Sequence, residues 1–349
     1  MQIVHTEDSK RRAATTELSG GHLVAPFESP ARVDQVIAAL RARDSGPIVA
    51  PTSHGMAPIA AVHDAGYIDF LASAWDDWVA AGNTGEIIPT IWPTRRLGET
   101  LRSRHIEARV GYYALAGETS IEAQTYEAAR TSADIALSAL DHVLATGAPA
   151  FGLCRPPGHH AAVDQFGGYS FFNNAAIAAE SARQRGVSRV AILDVDFHHG
   201  NGTQQIFYER ADVSFVSLHG DPVDEFPYFS GFADERGAGP GLGYNRNHPL
   251  PPGTDYVVWS GALDAALAEI AAQAPALLIV SLGTDIFKDD PISSFTLDSD
   301  DFVDCGARIA ALGLPSLFLL EGGYAVAAIG TNIANTLAGF EAAWRPGRS

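Results

Sequence analysis

A chain of 349 residues with 46% hydrophobic and 18% charged side chains can bury a large core and is too apolar for a disordered polymer. Its 41 acidic against 23 basic side chains give a formal net charge of −18, a field that repels nucleic acid and anionic membrane surfaces and attracts cations. The two cysteines, Cys154 and Cys305, form no Cys-x-x-Cys pair, which excludes thiolate zinc sites and a disulfide framework and leaves His and carboxylate as the metal-holding side chains.

The N-terminal "MQIVHTEDSKRR" has no apolar stretch behind a basic start, and no apolar run approaches the roughly 20 residues that span a bilayer. A cytoplasmic protein is expected, folded as a single domain over residues 1–349. The stretch 75–98, "WDDWVAAGNTGEIIPTIWPTRRLG", carries three Gly, two Pro and three Trp without clear periodicity and reads as a long functional or interface-forming loop.

From about residue 148 onward, short apolar runs alternate with helical patterns. "PAFGLC" (149–154), "RVAILDVD" (189–196), "DVSFVSLH" (212–219), "ALLIVSLG" (276–283) and "PSLFLL" (315–320) read as buried strands, and "NNAAIAAESARQRG" and "YVVWSGALDAALAEIAAQ" as helices. Continuous apolar strands alternating with helices predict a three-layer α/β/α domain around a mostly parallel sheet. Each of the five strands runs into a polar or glycine-rich loop: "RPPGHH", "FHHGNG", "GDP", "TDIF" and "EGGY". Open α/β sheets bind ligands beyond the carboxyl ends of their strands, so one composite site is expected there.

"ILDVDFHHGNGTQ" delivers Asp194, Asp196, His198 and His199 to the end of one strand, and such groups are costly to bury unless paired, hydrogen-bonded or metal-bound. Alternation gives Asp194, Asp196 and His198 one parity, so that two of them could share an ion, with Asp285 as a third candidate. Two carboxylates and an imidazole with an open position suit a catalytic metal, while a salt-bridged structural cluster is the alternative. His159 and His160 after a Pro-Pro-Gly turn could divide general base and acid work from electrostatic stabilisation, with Asp194 and Asn201 as candidates to orient their rings. Tyr324 after two glycines could donate to a carbonyl oxygen as it becomes an oxyanion.

Taken together, "RPPGHH", "GGYSFFNNAA", "ILDVDFHHGNGTQ", "VSLHGDP", "SLGTDIFKDDPIS" and "LEGGY" resemble, in order and spacing, the zinc-dependent histone deacetylase superfamily. "TELSGGHLVAPFESPAR" and "IEARVGYYALAGET" look like its bacterial acetylpolyamine amidohydrolase branch, and the likeness covers essentially the whole chain. The resemblance implies an arginase/deacetylase-like fold and one Zn²⁺ per subunit held by Asp196, His198 and Asp285. It assigns Tyr324 to polarising the scissile carbonyl, His160 to general base and acid, and His159 with Asp194 to electrostatic support. It further implies that the Gly168 carbonyl accepts the substrate amide N–H, that Tyr169 and Phe226 wall a narrow tunnel, and that Glu107 and Glu118 lie near its mouth. Structural potassium is implied at Asp194, Asp196, His198, Ser217 and Leu218, with a second site near Phe207 and Val213. Asn201 stands where many members carry Asp, so His160 would lack a carboxylate behind it. The branch also implies a homodimer through the 75–98 segment and a preference for acetylpolyamines over acetyl-lysine proteins. Deacetylation of acetyl-lysine or another small amide, a dinuclear manganese hydrolase, and a silent metal-binding module are the competing readings.

Overall fold

The structure is a computed structural model that describes residues 1–98 and 100–347; Glu99, Arg348 and Ser349, which the expected 1–349 domain includes, lie outside the described residues. In chain order come β1 (Gln2–Val4), β2 (Glu17–Ser19), β3 (His22–Val24), α1 (Ala31–Ala42), β4 (Ile48–Val49), α2 (Ala57–Ala60), α3 (Ala65–Ala80), α4 (Ile106–Tyr113), α5 (Thr125–Thr146), β5 (Ala150–Gly152) and α6 (Asn174–Gln184). There follow β6 (Val190–Asp194), α7 (Asn201–Phe207), β7 (Val213–Gly220), β8 (Asn245–Leu250), α8 (Tyr256–Gln273), β9 (Leu277–Leu282), α9 (Asp301–Ala310), β10 (Ser316–Leu320) and α10 (Val326–Ala343).

Eight strands form one sheet in the order β4-β1-β5-β10-β9-β6-β7-β8, with every neighbouring pair parallel. The central strands β5, β10, β9 and β6 are largely apolar because both faces are covered. Ile192, Ile279 and Leu317 pack into one core with α5 and α6, while the next residue of each strand, Leu193, Val280 and Phe318, enters a second core with α8, α9 and α10. A period of two that is apolar in both phases is what a three-layer α/β/α arrangement requires. The five strands read from sequence are β5, β10, β9, β6 and β7, five adjacent places in the sheet, so their carboxyl ends open side by side.

A β2–β3 hairpin stands apart from the large sheet. Its two-residue turn, Gly20–Gly21, has φ of +55° and +80°, the left-handed pair that suits a tight hairpin. The expected loop at 75–98 is corrected at its start: Trp75 to Ala80 form the end of α3, whose first turn is capped by Asp64 accepting from the Tyr67 N–H. The irregular part begins after the helix and is pinned where Ile87 bridges Ile121 and where the Trp92 indole donates to the Ala114 carbonyl at 3.1 Å. Among the described residues, no helix is long and apolar enough to cross a membrane.

Candidate active site

The strand β6 ends at Asp194, so alternation along a strand does not bring Asp196 and His198 together, contrary to the parity expected from the sequence. A tight turn does so instead. The Asp196 N–H donates to Asp194 Oδ1 at 3.1 Å, and the His198 N–H donates to Asp196 Oδ1 at 2.9 Å. Asp194 therefore turns away to His159, and Asp196 and His198 meet Asp285 from the exit of β9. Ligand atoms of Asp196, His198 and Asp285 all lie within 4.8 Å of one another, with His198 Nδ1 at 3.2 Å from Asp285 Oδ2.

The donor set fits a divalent metal. Asp196 and Asp285 are buried, and two carboxyl groups in one desolvated place call for a positive charge or a proton between them. Burial and the Asp196 carboxylate push Asp285 above the usual carboxylate range. Burial acts to lower His198, but its hydrogen bonds to Asp196 and Asp285 prevail and raise it. Gly322 completes the cradle: its N–H donates to Asp196 Oδ2 at 2.7 Å, and a β-carbon there would overlap the carboxylate oxygens of both Asp285 and Asp196. One imidazole nitrogen and two carboxylate oxygens beside a pocket fit a three-ligand metal site with an open position.

The exit of β5 brings the tandem histidines to the same place, with ring centroids 4.0 Å apart. They are wired differently. His159 Nδ1 faces Asp194 Oδ2 at 3.0 Å, and although burial acts to lower its pKa, Asp194 and Asp196 raise it well above the ordinary value. His160 Nδ1 lies 2.7 Å from Asn201 Oδ1; burial, reinforced by His159 and His198, holds its pKa well below the ordinary value. The Asn201 amide donates its Nδ2–H to the His160 carbonyl, which leaves Oδ1 to accept, so the His160 proton sits on Nδ1 and Nε2 is a free acceptor.

The exit of β10 supplies Tyr324, whose backbone N–H donates to Asp290 Oδ2 at 2.6 Å and whose ring lies under the Arg32 guanidinium, 5.0 Å away. Burial pushes the phenol well above its ordinary pKa, so it stays a donor. Tyr169, at 5.4 Å between ring centroids, packs edge-on against Tyr324, and Phe226 stands 5.2 Å from the His160 ring. Gly168 has φ +53°, and a β-carbon on it would overlap the His160 ring, so only glycine lets the backbone pass this close.

These groups line one cavity of about 310 Å³ that also receives His198, Glu17, Glu118, Glu225, Tyr228 and Ile292. Of the expected residues, His160, Gly168, Tyr169, Phe226, Glu118, His198 and Tyr324 meet there, and Asp285, Asp196, Asp194, His159 and Asn201 lie directly behind. Glu107 does not join them. It lies on the solvent face of α4, whose Ile106 and Val110 point inward, and eleven residues of sequence do not return it to the pocket. Ser217 pairs in register with Asp194, and its hydroxyl lies 2.8 Å from His219 Nδ1; Leu218 follows it on β7, and Phe207 and Val213 sit at the end of α7 and the start of β7.

The sequence reading missed Glu17, Glu225, Arg32 and Glu321. Glu17 Oε1 accepts from the Tyr169 hydroxyl at 2.9 Å, and the signal for it was the hairpin pattern "ELS-GG-HLV". Arg32 belongs to a buried cluster in which Glu28 accepts from Arg12, Arg32 and Arg155, a set too far apart in sequence to be read as one.

The histone deacetylase domain family matches residues 26–340. Acetylpolyamine amidohydrolase 2 of Pseudomonas aeruginosa is 50% identical over 345 residues, covering 99% of this chain and 100% of its own. The acetylpolyamine amidohydrolase of Mycoplana ramosa is 51% identical over 339 residues, covering 97% of this chain and 99% of its own. The crystal structure of acetylpolyamine aminohydrolase from Burkholderia pseudomallei superposes with a TM-score of 0.94 at 40% identity, covering 99% of this chain and 100% of that one.

Proposed function

The chain belongs to the histone deacetylase domain family, and from that premise we propose that it is a zinc-dependent deacetylase of small N-acetylated amines, above all acetylpolyamines. The observation that carries this reading is the meeting of Asp196, His198 and Asp285 at the base of a pocket that also holds His160 and Tyr324 and is lined by Glu17, Glu118 and Glu225. Full-length relatives named for acetylpolyamines support it. Asp196, His198 and Asp285 hold the zinc, which when bound supplies Lewis-acid activation of water and of the amide carbonyl.

The side chains divide the remaining work. Neutral His160, with Nε2 free, takes the proton of the attacking water. Tyr324 donates its hydroxyl proton in a hydrogen bond to the acetyl oxygen as that oxygen gains charge. His159, paired with Asp194, adds fixed positive charge beside the developing oxyanion. The proton held on His160 then passes to the departing amine nitrogen as the C–N bond breaks. The Gly168 carbonyl accepts the amide N–H, Tyr169 and Phe226 press on the methylene chain, and Glu118 meets a distal ammonium. Asn201 fixes the His160 tautomer without sharing its charge.

Structural potassium at Asp194, Asp196, His198, Ser217 and Leu218, with a second ion near Phe207 and Val213, belongs to the same proposal, as does a cytoplasmic setting. So does a homodimer through the 75–98 segment, where Ile91 and Leu97 are more than half exposed beside a groove containing Trp92 and Tyr112. The test compares hydrolysis of acetylputrescine and acetylspermidine with that of an acetyl-lysine peptide by the zinc-loaded protein. At least roughly tenfold higher kcat/KM for the polyamines is expected, about 1.4 kcal/mol of transition-state discrimination. A peptide preference overturns the substrate assignment, and no turnover of either with metal bound overturns the chemistry.

A further inference from the structure

Glu321 directly follows β10 and is fully buried, yet it is neither a metal ligand candidate nor a lining residue of the pocket. Its Oε2 accepts from two successive backbone donors of the tandem-histidine turn, the Gly158 N–H at 2.7 Å and the His159 N–H at 3.2 Å. Its own N–H donates to the Leu282 carbonyl at 3.0 Å, and its carbonyl accepts from Arg32. Three residues later the chain reaches Tyr324. One carboxylate therefore bridges the turn that carries His159 and His160 to the segment that carries Tyr324, across the β5–β10 boundary of the sheet.

Two adjacent buried N–H groups aimed at one point need an acceptor, because each left unmade costs desolvation without return. A single carboxyl oxygen at that point meets both donors at once. Both of these side-chain hydrogen bonds converge on Oε2, so the carboxyl group holds the turn through a single oxygen. We propose that Glu321 is a positioning residue: by clamping the Gly158–His159 backbone to the end of β10, it fixes the separation between the general base His160 and the oxyanion donor Tyr324. The inference rests on the deacetylase reading for the roles of those two residues, while the clamp itself is a property of the fold.

The test uses Glu321→Ala and Glu321→Gln in the full chain. Gln has nearly the same size and keeps one carbonyl oxygen as acceptor for both N–H groups. With zinc-loaded protein and acetylputrescine, Glu321→Ala is expected to lower kcat by roughly 100-fold, the cost of about an ångström of misplacement, with KM within about twofold. Glu321→Gln is expected to restore kcat to within about fivefold. Amide hydrogen exchange of the peptide spanning residues 155–162, measured on metal-free protein, is expected to accelerate in Glu321→Ala and to match the parent in Glu321→Gln. That readout needs no activity, so it separates failure of the clamp from failure of the deacetylase assignment. Unchanged kcat or unchanged exchange in Glu321→Ala overturns the proposal. If the alanine variant does not fold, a glutamine variant as slow as Glu321→Leu, or with unprotected 155–162 amides, does the same.

Discussion

Tyr324 shows how much of a residue's work is fixed by what surrounds it. A phenol is a poor acid, and burial makes this one poorer still, so across ordinary pH it keeps the proton it donates. Its backbone is held by Asp290 through both the Tyr324 and Ala325 N–H groups, and its ring is flanked by Arg32 and Tyr169. The side chain is thus set before substrate arrives, which is the condition for an interaction spent on the transition state. Tyr324→Phe keeps the packing and removes the donor. Steady-state kinetics are expected to show kcat reduced by roughly 10²- to 10³-fold, as for loss of one oxyanion donor, with KM changed by less than about threefold. An unchanged kcat would reject the role. Identities such as Tyr324, His160 and Asp285 were legible because they stand in motifs at successive strand exits whose order and spacing resemble a known family. Glu321 and Arg32 were not, because Glu321 holds backbone N–H groups and Arg32 grips the Gly323 and Glu321 carbonyls as well as Glu28, and a backbone partner leaves no mark on sequence.

At the level of elements, the sequence disclosed the middle of the sheet and missed its borders. β5, β6, β7, β9 and β10 are apolar in both phases because helices cover both faces. The border strands β4 and β8 carry little of that signal: β4 has two residues and β8 reads "NRNHPL", since an edge needs less burial. The junctions between elements were equally silent, and His63 is the clearest case. It lies between α2 and α3, is buried, and presents Nδ1 to the Ala162 carbonyl at 2.9 Å while Nε2 accepts from the Asn173 N–H at 3.0 Å. Asn173 in turn caps α6, so one neutral imidazole ties α3, the tail of the tandem-histidine turn and the start of α6. Protonation would replace the Nε2 acceptor with a second donor facing an N–H. Burial is the chief cause that drives the His63 pKa from 6.5 down to about 4. Because the folded value is the lower one, the unfolded chain binds the proton first. The stabilisation is complete above about 6.5 and is lost as pH falls toward 4, by up to roughly 3 kcal/mol. Denaturant unfolding at pH 7, 6, 5 and 4.5 is expected to show the advantage of the parent over His63→Gln shrinking steadily with pH. A constant difference would show that His63 does not titrate on unfolding.

Across the whole molecule, charge and shape act together at the mouth of the pocket. The net charge of −18 would be a weak, screened influence at any single surface point, since exposed pairs contribute only about 0 to 1 kcal/mol. The pocket differs because its acids have low-dielectric walls. Glu17 is buried and Glu118 Oε1 is anchored by the Gly168 N–H at 2.7 Å, so neither acid is free to swing into bulk water. Such a cleft focuses the field of the surrounding acidic surface and raises the encounter rate of cations. The predicted consequence depends on ligand charge. Raising ionic strength from about 0.02 to about 0.5 M, with potassium held constant, shortens the screening length from about 20 Å to about 4 Å. The value of kcat/KM is then expected to fall several-fold for dicationic acetylspermidine, less for monocationic acetylputrescine, and not at all for neutral N-butylacetamide. Because kcat is read at saturating substrate, it should hold constant for all three. Equal salt dependence for the neutral and the cationic amides would mean that the acids serve the fold alone, and that selection among amines rests on the width between Tyr169 and Phe226.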